Sequence, residues 1–315
     1  MLLIITIVQL IKLIPYTLFS LCLVAAATLK MQAQGFPNPI KSNLSVKAGA
    51  ESRQTDFRWS IAGNTEGKDP NIYSELIYNP IHSAGFFIGT HYKIYKKFIV
   101  EANYNRLGTY KGSATDIDYA GDNRTQPIKP SFGDTLFRSD KGNMNSFNVS
   151  LSYTFIDHYP FQLSAGAGYT NSRELFYLLD DDMPDLNTTY RADWIGALFF
   201  LESGINITNK IYIHPRVSYQ PMQYNATANW NIQEDFQHPV SFIQTANGSG
   251  WNYSANAAYR FNKNIGLHIE WLHSSWKTQK GTDRLYLKSG EIPETQMNGA
   301  FKKNSGWRLS ATYTF

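Results

Sequence analysis

The chain has 315 residues, of which 17% are charged, and its formal net charge is +4. This length fits one large domain or two ordinary ones. Two of the lysines lie in the first 34 residues, and loss of that stretch would leave about +2, too little to favour nucleic acid as a partner. The single cysteine, Cys22, lies there too, so disulfides and thiolate metal sites are excluded from the rest of the chain.

Residues 1–34 are almost wholly apolar, contain no acidic residue and end in small residues around Ala25–Ala27. An early basic residue (Lys12), an apolar run and a small-residue exit predict a secretory signal peptide that is cleaved on export. An uncleaved anchor helix is the alternative, since the run is long enough to span a bilayer. We expect residues 35–42 to form a short periplasmic segment and residues 43–315 to form the folded domain.

Strict alternation of apolar and polar residues recurs from about residue 43 to the C-terminus. Segment 146–155, SFNVSLSYTF, places five apolar residues on one face and Ser, Asn or Thr on the other. Segments 161–170, 251–261 and 306–315 repeat the pattern. A period of two predicts β-strands with one apolar face.

The composition of the polar face distinguishes two kinds of β protein. The polar face of a soluble sandwich carries charged groups in water. Here that face carries small uncharged residues, and Tyr and Trp stand near the ends of the apolar face. Lipid outside, a polar lumen inside and aromatic girdles at both interfaces are typical of a transmembrane antiparallel β-barrel. The terminal Phe315 resembles the last residue of bacterial outer-membrane barrels.

The alternating segments predict an all-β fold of about ten strands. Their predicted ranges are 43–61, 71–94, 97–114, 144–156, 160–178, 189–207, 210–222, 250–262, 264–276 and 304–315. Short and long links alternate between them, as expected for periplasmic turns and long extracellular loops. The long loops are predicted at 61–70, 115–143, 179–188, 223–249 and 277–303. Ten strands leave a narrow lumen, so a broad porin is not expected.

Two motifs resemble those of the omptin family of outer-membrane endopeptidases. YNRLGTYKGSATDIDY (104–119) is similar to the family stretch in which Leu-Gly is followed by Asp-x-Asp and an aromatic residue. SAGAGYTNSRELF (164–176) resembles the strand that opens with Gly-Tyr and carries an Arg four residues after the Tyr. The run DIDYAGDNR (116–124) looks closer to the Protochlamydia-type omptin-like outer-membrane proteins, which have no established protease activity.

The resemblance implies a hydrolytic site of two halves. In the proteases an Asp pair orients a water, which an Asp-x-His across the groove activates; here Asp116 and Asp118 match the first half. The second half falls on Asn229 and Asn231, and an amide cannot act as a general base. Asp235 and His238 lie nearby, but their spacing of three places them on opposite faces of a strand. His238 would be catalytic only if a loop or bulge corrected this.

The resemblance also implies a lipopolysaccharide contact on the outer wall. Tyr169, Asn171 and Arg173 take the family's positions for a Tyr, an acid and an Arg, with Asn171 in place of the acid. Arg offers paired donors to a phosphate. The alternative is an interfacial Tyr with a snorkelling Arg.

The preferred interpretation is a surface protein of the outer membrane of a Gram-negative-type bacterium, omptin-like but without protease activity. It would act in binding, adhesion or envelope structure, with outer-membrane lipid and an extracellular protein or peptide as partners. An endopeptidase using Asp116 and Asp118 is the alternative, and a narrow channel is a third hypothesis. No metal or cofactor is predicted, since the seven histidines show no metal-ligand spacing, and we expect a monomer.

Overall fold

The computed structural model describes residues 44–128 and 136–315. The predicted signal peptide and periplasmic segment lie outside the described residues. Ten long strands and four short ones are present in the described part: β1 (Leu44–Ile61), β2 (Ser74–Tyr95), β3 (Phe98–Lys111), β4 (Ser113–Gly121), β5 (Thr125–Ile128), β6 (Leu136–Arg138), β7 (Gly142–His158), β8 (Phe161–Leu178), β9 (Thr188–Asn206), β10 (Ile211–Asn229), β11 (Phe242–Arg260), β12 (Ile265–Thr278), β13 (Gly281–Leu285) and β14 (Glu294–Thr314).

The ten long strands close into an antiparallel barrel. Each pairs with its neighbour in the order β1, β14, β12, β11, β10, β9, β8, β7, β3 and β2, and β2 pairs again with β1. Closure leaves the wall without an open edge, which a sheet in lipid requires because unpaired backbone groups there cost several kcal/mol each. The predicted ten-stranded barrel is therefore confirmed.

The register fixes how steeply the strands tilt. The row of directly paired residues that starts at Asp56 on β1 passes once around the wall and returns to β1 at Leu44, a stagger of twelve residues. For ten strands this stagger corresponds to a tilt of about 40°. A row of paired residues therefore descends by just over one residue at each step to the next strand.

A belt of exposed apolar side chains surrounds the lower part of the wall. It includes Phe147, Leu151, Leu267 and Leu309, each more than 40% exposed. On β14 the belt runs from Trp307 to Phe315, and on β8 its upper limit is Tyr169. Nine residues are enough for a tilted strand to cross the hydrocarbon region.

At the height of the belt, the interior is polar and its charges are paired. Arg308 bonds Glu51 and Glu270 at 2.8 Å each, and Arg216 bonds Glu101 at 2.6 Å. Buried charges need such partners because desolvation without them is costly. A cavity of about 250 Å³ lies beside these residues, and one of about 370 Å³ lies toward the ends of β1 and β14 near Ser45 and Thr314.

Above the belt the interior changes to a packed aromatic core. Its large members include Phe57, Trp59, Tyr78, Phe176, Tyr190, Trp194, Tyr224, Trp230 and Phe242, all under 9% exposed. Beneath this core Lys302 on β14 reaches across the barrel to Glu174 on β8 at 2.5 Å, with its ammonium group 3.5 Å from the Trp276 ring centroid. The extracellular half of the barrel is filled by side chains.

Several predicted boundaries were wrong on the extracellular side. β10 extends to Asn229, β11 begins at Phe242 and β14 begins at Glu294, so each is longer than predicted. The predicted loop 115–143 contains β4, β5 and β6, and the predicted loop 277–303 contains β13. Within the described residues, no helix is long and apolar enough to cross a membrane.

Candidate functional site

Asp116 and Asp118 lie on strand β4, on the extracellular side of the barrel. β4 continues the path of β3 past Gly112, where a Cβ atom would stand 2.5 Å from the Ser139 carbonyl oxygen. It pairs with the upper end of β2, Asp116 opposite Leu76 and Asp118 opposite Ser74. Because side chains two residues apart share a face of a strand, both carboxyl groups are on the same side of the sheet. Leu76 is fully buried, so this is the side that faces the core.

The carboxyl group of Asp116 faces the core, and the residue is partly buried. Trp230 donates a hydrogen bond from its indole N–H to this carboxyl group. Burial, reinforced by the nearby negative charge of Asp118, raises the pKa of Asp116 from its ordinary value near 3.8 to about 7. Burial also raises the pKa of Asp118, while a hydrogen bond from the Ser74 side chain opposes that shift. The carboxyl groups of Asp116 and Asp118 are therefore not both readily ionised near neutral pH.

Trp230 directly follows β10 and is anchored on several sides. Its ring centroid lies 4.7 Å from that of Phe242 and 6.4 Å from that of Trp59, and its side chain is 8% exposed. Its backbone N–H donates to the Ser241 hydroxyl at 2.9 Å. The indole is therefore part of the aromatic core and also the hydrogen-bonding partner of Asp116.

The residues on either side of Trp230 are the two asparagines that take the positions of the family's Asp-x-His. Asn231 is held by the 185–188 segment: its side chain accepts from the Asn187 N–H at 2.9 Å and donates to the Asp185 carbonyl at 2.8 Å. Asn229 Oδ1 lies 2.9 Å from His238 Nδ1. Both asparagines are thus engaged in local structure.

His238 is exposed, in the loop between β10 and β11, and it also packs locally. Its Nδ1 faces Asn229, and its Nε2 lies 3.2 Å from the Gln233 carbonyl oxygen. Both ring nitrogens are therefore occupied by protein groups. In this segment, it is Trp230 and not His238 whose side chain contacts Asp116.

No metal centre accompanies the Asp pair in the part of the chain that the structure describes. Across residues 44–128 and 136–315, no cluster of three or more His, Cys, Asp or Glu residues could hold a metal ion. A further buried acid, Asp283 on β13, accepts from Gln244 at 2.9 Å. Burial raises the pKa of Asp283 to about 6. The core at this level therefore favours protonated carboxyl groups.

The predicted lipid-contact residues follow one another on the outer face of β8. Tyr169 is 43% exposed, and Arg173 lies four residues further toward the extracellular side. Arg173 Nε lies 2.5 Å from Asp193 Oδ1, and Arg191 Nε lies 3.4 Å from Asp193 Oδ2. A carboxylate from the neighbouring strand β9 therefore lies beside Arg173, whereas Asn171 on β8 has no carboxylate.

Two of the residues that define these sites were not identified from the sequence. Trp230 lies between Asn229 and Asn231, so an aromatic residue at the centre of the expected Asp-x-His was the available signal. Asp193 could not be assigned to Arg173, because cross-strand pairing depends on a register that alternation alone does not reveal.

The solved structures that resemble this chain are outer-membrane barrels. The outer-membrane protease OmpT of Escherichia coli matches with a TM-score of 0.65 and 14% sequence identity, covering 90% of this chain and 99% of that one. The translocator domain of the autotransporter NalP of Neisseria meningitidis matches at 0.40 and 8%, covering 98% of each chain. OprG of Pseudomonas aeruginosa matches at 0.39 and 9%, covering 88% and 98%. No curated protein sequence matches the chain.

The OmpT match, at this low identity, establishes a shared fold: this protein is a ten-stranded outer-membrane β-barrel of omptin-like architecture. The sequence profile of one family covers most of the chain, from residue 46 to residue 314. This range includes all ten strands of the wall apart from the first two residues of β1. The chain therefore belongs to the Protochlamydia outer membrane protein (Pom) family.

Proposed function

We propose that this protein is a non-proteolytic surface barrel that acts by binding through its extracellular strands and loops. The observation that carries the proposal is the contact between Trp230 and Asp116. In an endopeptidase of this fold, a water and a peptide bond would have to reach the Asp pair from the opposite side of the groove. Here the side chain that hydrogen-bonds Asp116 is the indole of Trp230, which has no basic group.

The chemistry of the same residues also disfavours hydrolysis. A water is oriented and activated best by a carboxylate and a free imidazole nitrogen. Asp116, with its pKa raised to about 7, is substantially protonated at neutral pH. Both nitrogens of His238 are engaged, and Asn229 and Asn231 lack basic groups. The endopeptidase alternative would need rearrangement of the segment 229–238 relative to Asp116 on β4.

The packing of the lumen disfavours the channel hypothesis. A conducting path would have to pass the Lys302–Glu174 pair, which is fully buried, and then the aromatic core above it. Trp194 and Tyr224 meet there at 4.5 Å between ring centroids. Opening such a core would expose a large apolar area, at a cost of about 25 cal/mol for each Å².

The extracellular extension offers a rigid binding platform for an extracellular protein or peptide. β4 pairs with β2, β5 and β6, and β13 bridges β11 and β14, so the upper wall is ordered by backbone pairing as well as by its core. We also propose that the outer wall contacts lipopolysaccharide through Tyr169, Asn171 and Arg173. Asp193 would orient Arg173 for a phosphate.

Two assays on the refolded full-length barrel test the proposal. The first is cleavage of a broad fluorogenic peptide library in the presence of lipopolysaccharide, with Asp118→Asn and His238→Ala beside the wild type. We expect the wild type to show no turnover above the two variants. Turnover that both variants abolish would establish the endopeptidase alternative.

The second assay is single-channel conductance in planar bilayers. We expect no discrete openings from the wild type, because the core and the Lys302–Glu174 pair block the lumen. Lys302→Ala should also stay closed, because the aromatic core above the removed side chain still fills the lumen. Regular openings of the wild type would favour the channel hypothesis.

A further inference from the structure

The outer wall carries a second basic patch, formed by two lysines on β12 and β14. Lys303 pairs with Ser275, and Lys277 pairs with Phe301, so the two lysines are diagonal neighbours across the strand pair. Their Cβ atoms are therefore about 7–8 Å apart. Both side chains are exposed, and neither forms an ion pair with a described residue.

The two lysines lie at the same height as Arg173, on the opposite side of the barrel. The row that contains Lys303 reaches β8 at Ala167 after five of the ten steps around the wall. Over these five steps the row descends by half of the twelve-residue stagger, which is six residues. The residue on β8 that is level with Lys303 is therefore six residues above Ala167, at Arg173. Lys277 lies within one residue of the same height.

The surroundings of the patch place it in the headgroup layer of the outer leaflet. Lys303 lies four residues beyond Trp307, which marks the upper limit of the apolar belt on β14. Trp251, 49% exposed, stands in the same row two strands away. Aromatic side chains mark the interface, and basic groups just outside it meet lipid phosphates.

The charges around the patch favour an anion. Arg58 pairs with Phe301 in the same row as Lys277, and its guanidinium lies 4.9 Å from the Phe301 ring centroid. The acid nearby is Asp56, which pairs with Lys303 without forming an ion pair within 4 Å. Three cations and one acid leave a net positive patch, and ammonium groups bind phosphate as point charges.

We infer that Lys277 and Lys303, with Arg58, form a second binding site for a phosphate group of an outer-leaflet lipid, on the wall opposite Arg173. The occupant is a lipid because the apolar belt directly below the patch is covered by acyl chains. Two sites on opposite walls would hold the barrel upright in the leaflet.

Native mass spectrometry of the refolded barrel with bisphosphorylated lipid A tests this inference. The variants are the double substitution Lys277→Gln/Lys303→Gln, and Arg173→Gln/Arg191→Gln on the other wall. Lys210→Gln/Lys288→Gln is the matched control, since it removes two exposed lysines far from both patches. Heat modifiability on gels confirms that each variant is folded.

We expect the wild type and the control to retain two lipids and each double variant to retain one. The affinity for the second lipid should fall at least about tenfold in the Lys277/Lys303 variant. Dephosphorylated lipid A should bind with no difference between the variants and the wild type. Three results would each overturn the inference: two lipids retained by the Lys277/Lys303 variant, equal retention of dephosphorylated lipid by the wild type, or displacement of the lipid by inorganic phosphate.

Discussion

The raised pKa of Asp116 makes the stability of this barrel depend on pH in a direction that substitution can test. The pKa of this carboxyl group rises from near 3.8 to about 7 on folding, so between these values the folded state binds more protons than the unfolded state. The free energy of unfolding therefore falls as pH rises from about 4 to about 7, and Asp116 contributes its full stabilisation only below that window.

The size of the effect follows from the shift. Three pKa units correspond to about 4 kcal/mol. The side chain of Asp116 is only partly buried, so solvent screening reduces the expected value to about 1–3 kcal/mol. Asp116→Asn should remove this dependence, because the amide is neutral at every pH and its oxygen can still accept from the Trp230 indole.

The assay is urea unfolding of the barrel in lipid vesicles, followed by tryptophan fluorescence at pH 4.5, 6.5 and 8. Asp116→Asn should match the wild type at the lowest pH and exceed it in stability by about 1–3 kcal/mol at pH 8. Asp235→Asn, in an exposed loop, is the matched control for replacing an aspartate by an asparagine. Asp283 is present in all three proteins and cancels. A difference between Asp116→Asn and the wild type that does not grow with pH would refute the reasoning.

Substitutions at three further places test the packing of the upper barrel by the same unfolding assay, with peptide cleavage as a second readout for the last. Trp230→Ala should lower the free energy of unfolding by about 3–5 kcal/mol, because it empties a buried aromatic position; Trp230→Phe should cost about 1–2 kcal/mol for the lost hydrogen bond. Lys302→Met should cost about 3–5 kcal/mol by leaving Glu174 buried without its partner, and a second substitution, Glu174→Gln, should recover most of the loss. The double substitution Asn229→Asp/Asn231→His introduces the residue types of the omptin proteases, yet it should give no peptide cleavage. It should lower the free energy of unfolding by about 1–3 kcal/mol, because it removes loop hydrogen bonds. Measurable cleavage would contradict our account of Trp230.

The lower barrel was predictable from the sequence because one physical rule applies along its whole height. At the belt, lipid lies outside and polar groups lie inside, so every second residue along a strand is apolar and points outward. β7 and β8 illustrate this: their predicted ranges, 144–156 and 160–178, agree with the observed Gly142–His158 and Phe161–Leu178. Closure and the short turns then follow from alternating link lengths.

The upper barrel was not predictable in the same way, because its apolar residues point inward and its polar residues point outward. On β10 the apolar residues below the interface, such as Val217 and Tyr219, point outward, whereas Met222 and Tyr224 above it point into the core. The period of two continues, but the apolar face changes sides between Tyr219 and Met222. The outward-facing apolar pattern ends at that point, so alternation alone predicts a loop at residues 223–229.

This reversal also explains why the Asp pair could be found and its environment could not. Asp116 and Asp118 form a local motif, readable without knowing what packs against it. Their raised pKa values come first from burial in the core, and the Trp230 hydrogen bond to Asp116, from a residue more than a hundred positions away, partly opposes that rise.

The reversed phase links the fold to the proposed function. An open groove at the extracellular rim requires polar walls with water between them, and such walls would preserve the polar-inside pattern to the ends of the strands. Here the inner face becomes apolar above the belt, and the outer face becomes polar: Gln223, Asn225 and Thr227 point outward on β10. Folded in this way, the upper barrel is a small soluble-type domain built on a membrane anchor, with its recognition groups outside. We therefore expect binding partners to contact the outer faces and loops of the extension, and not the interior where a protease would hold its substrate.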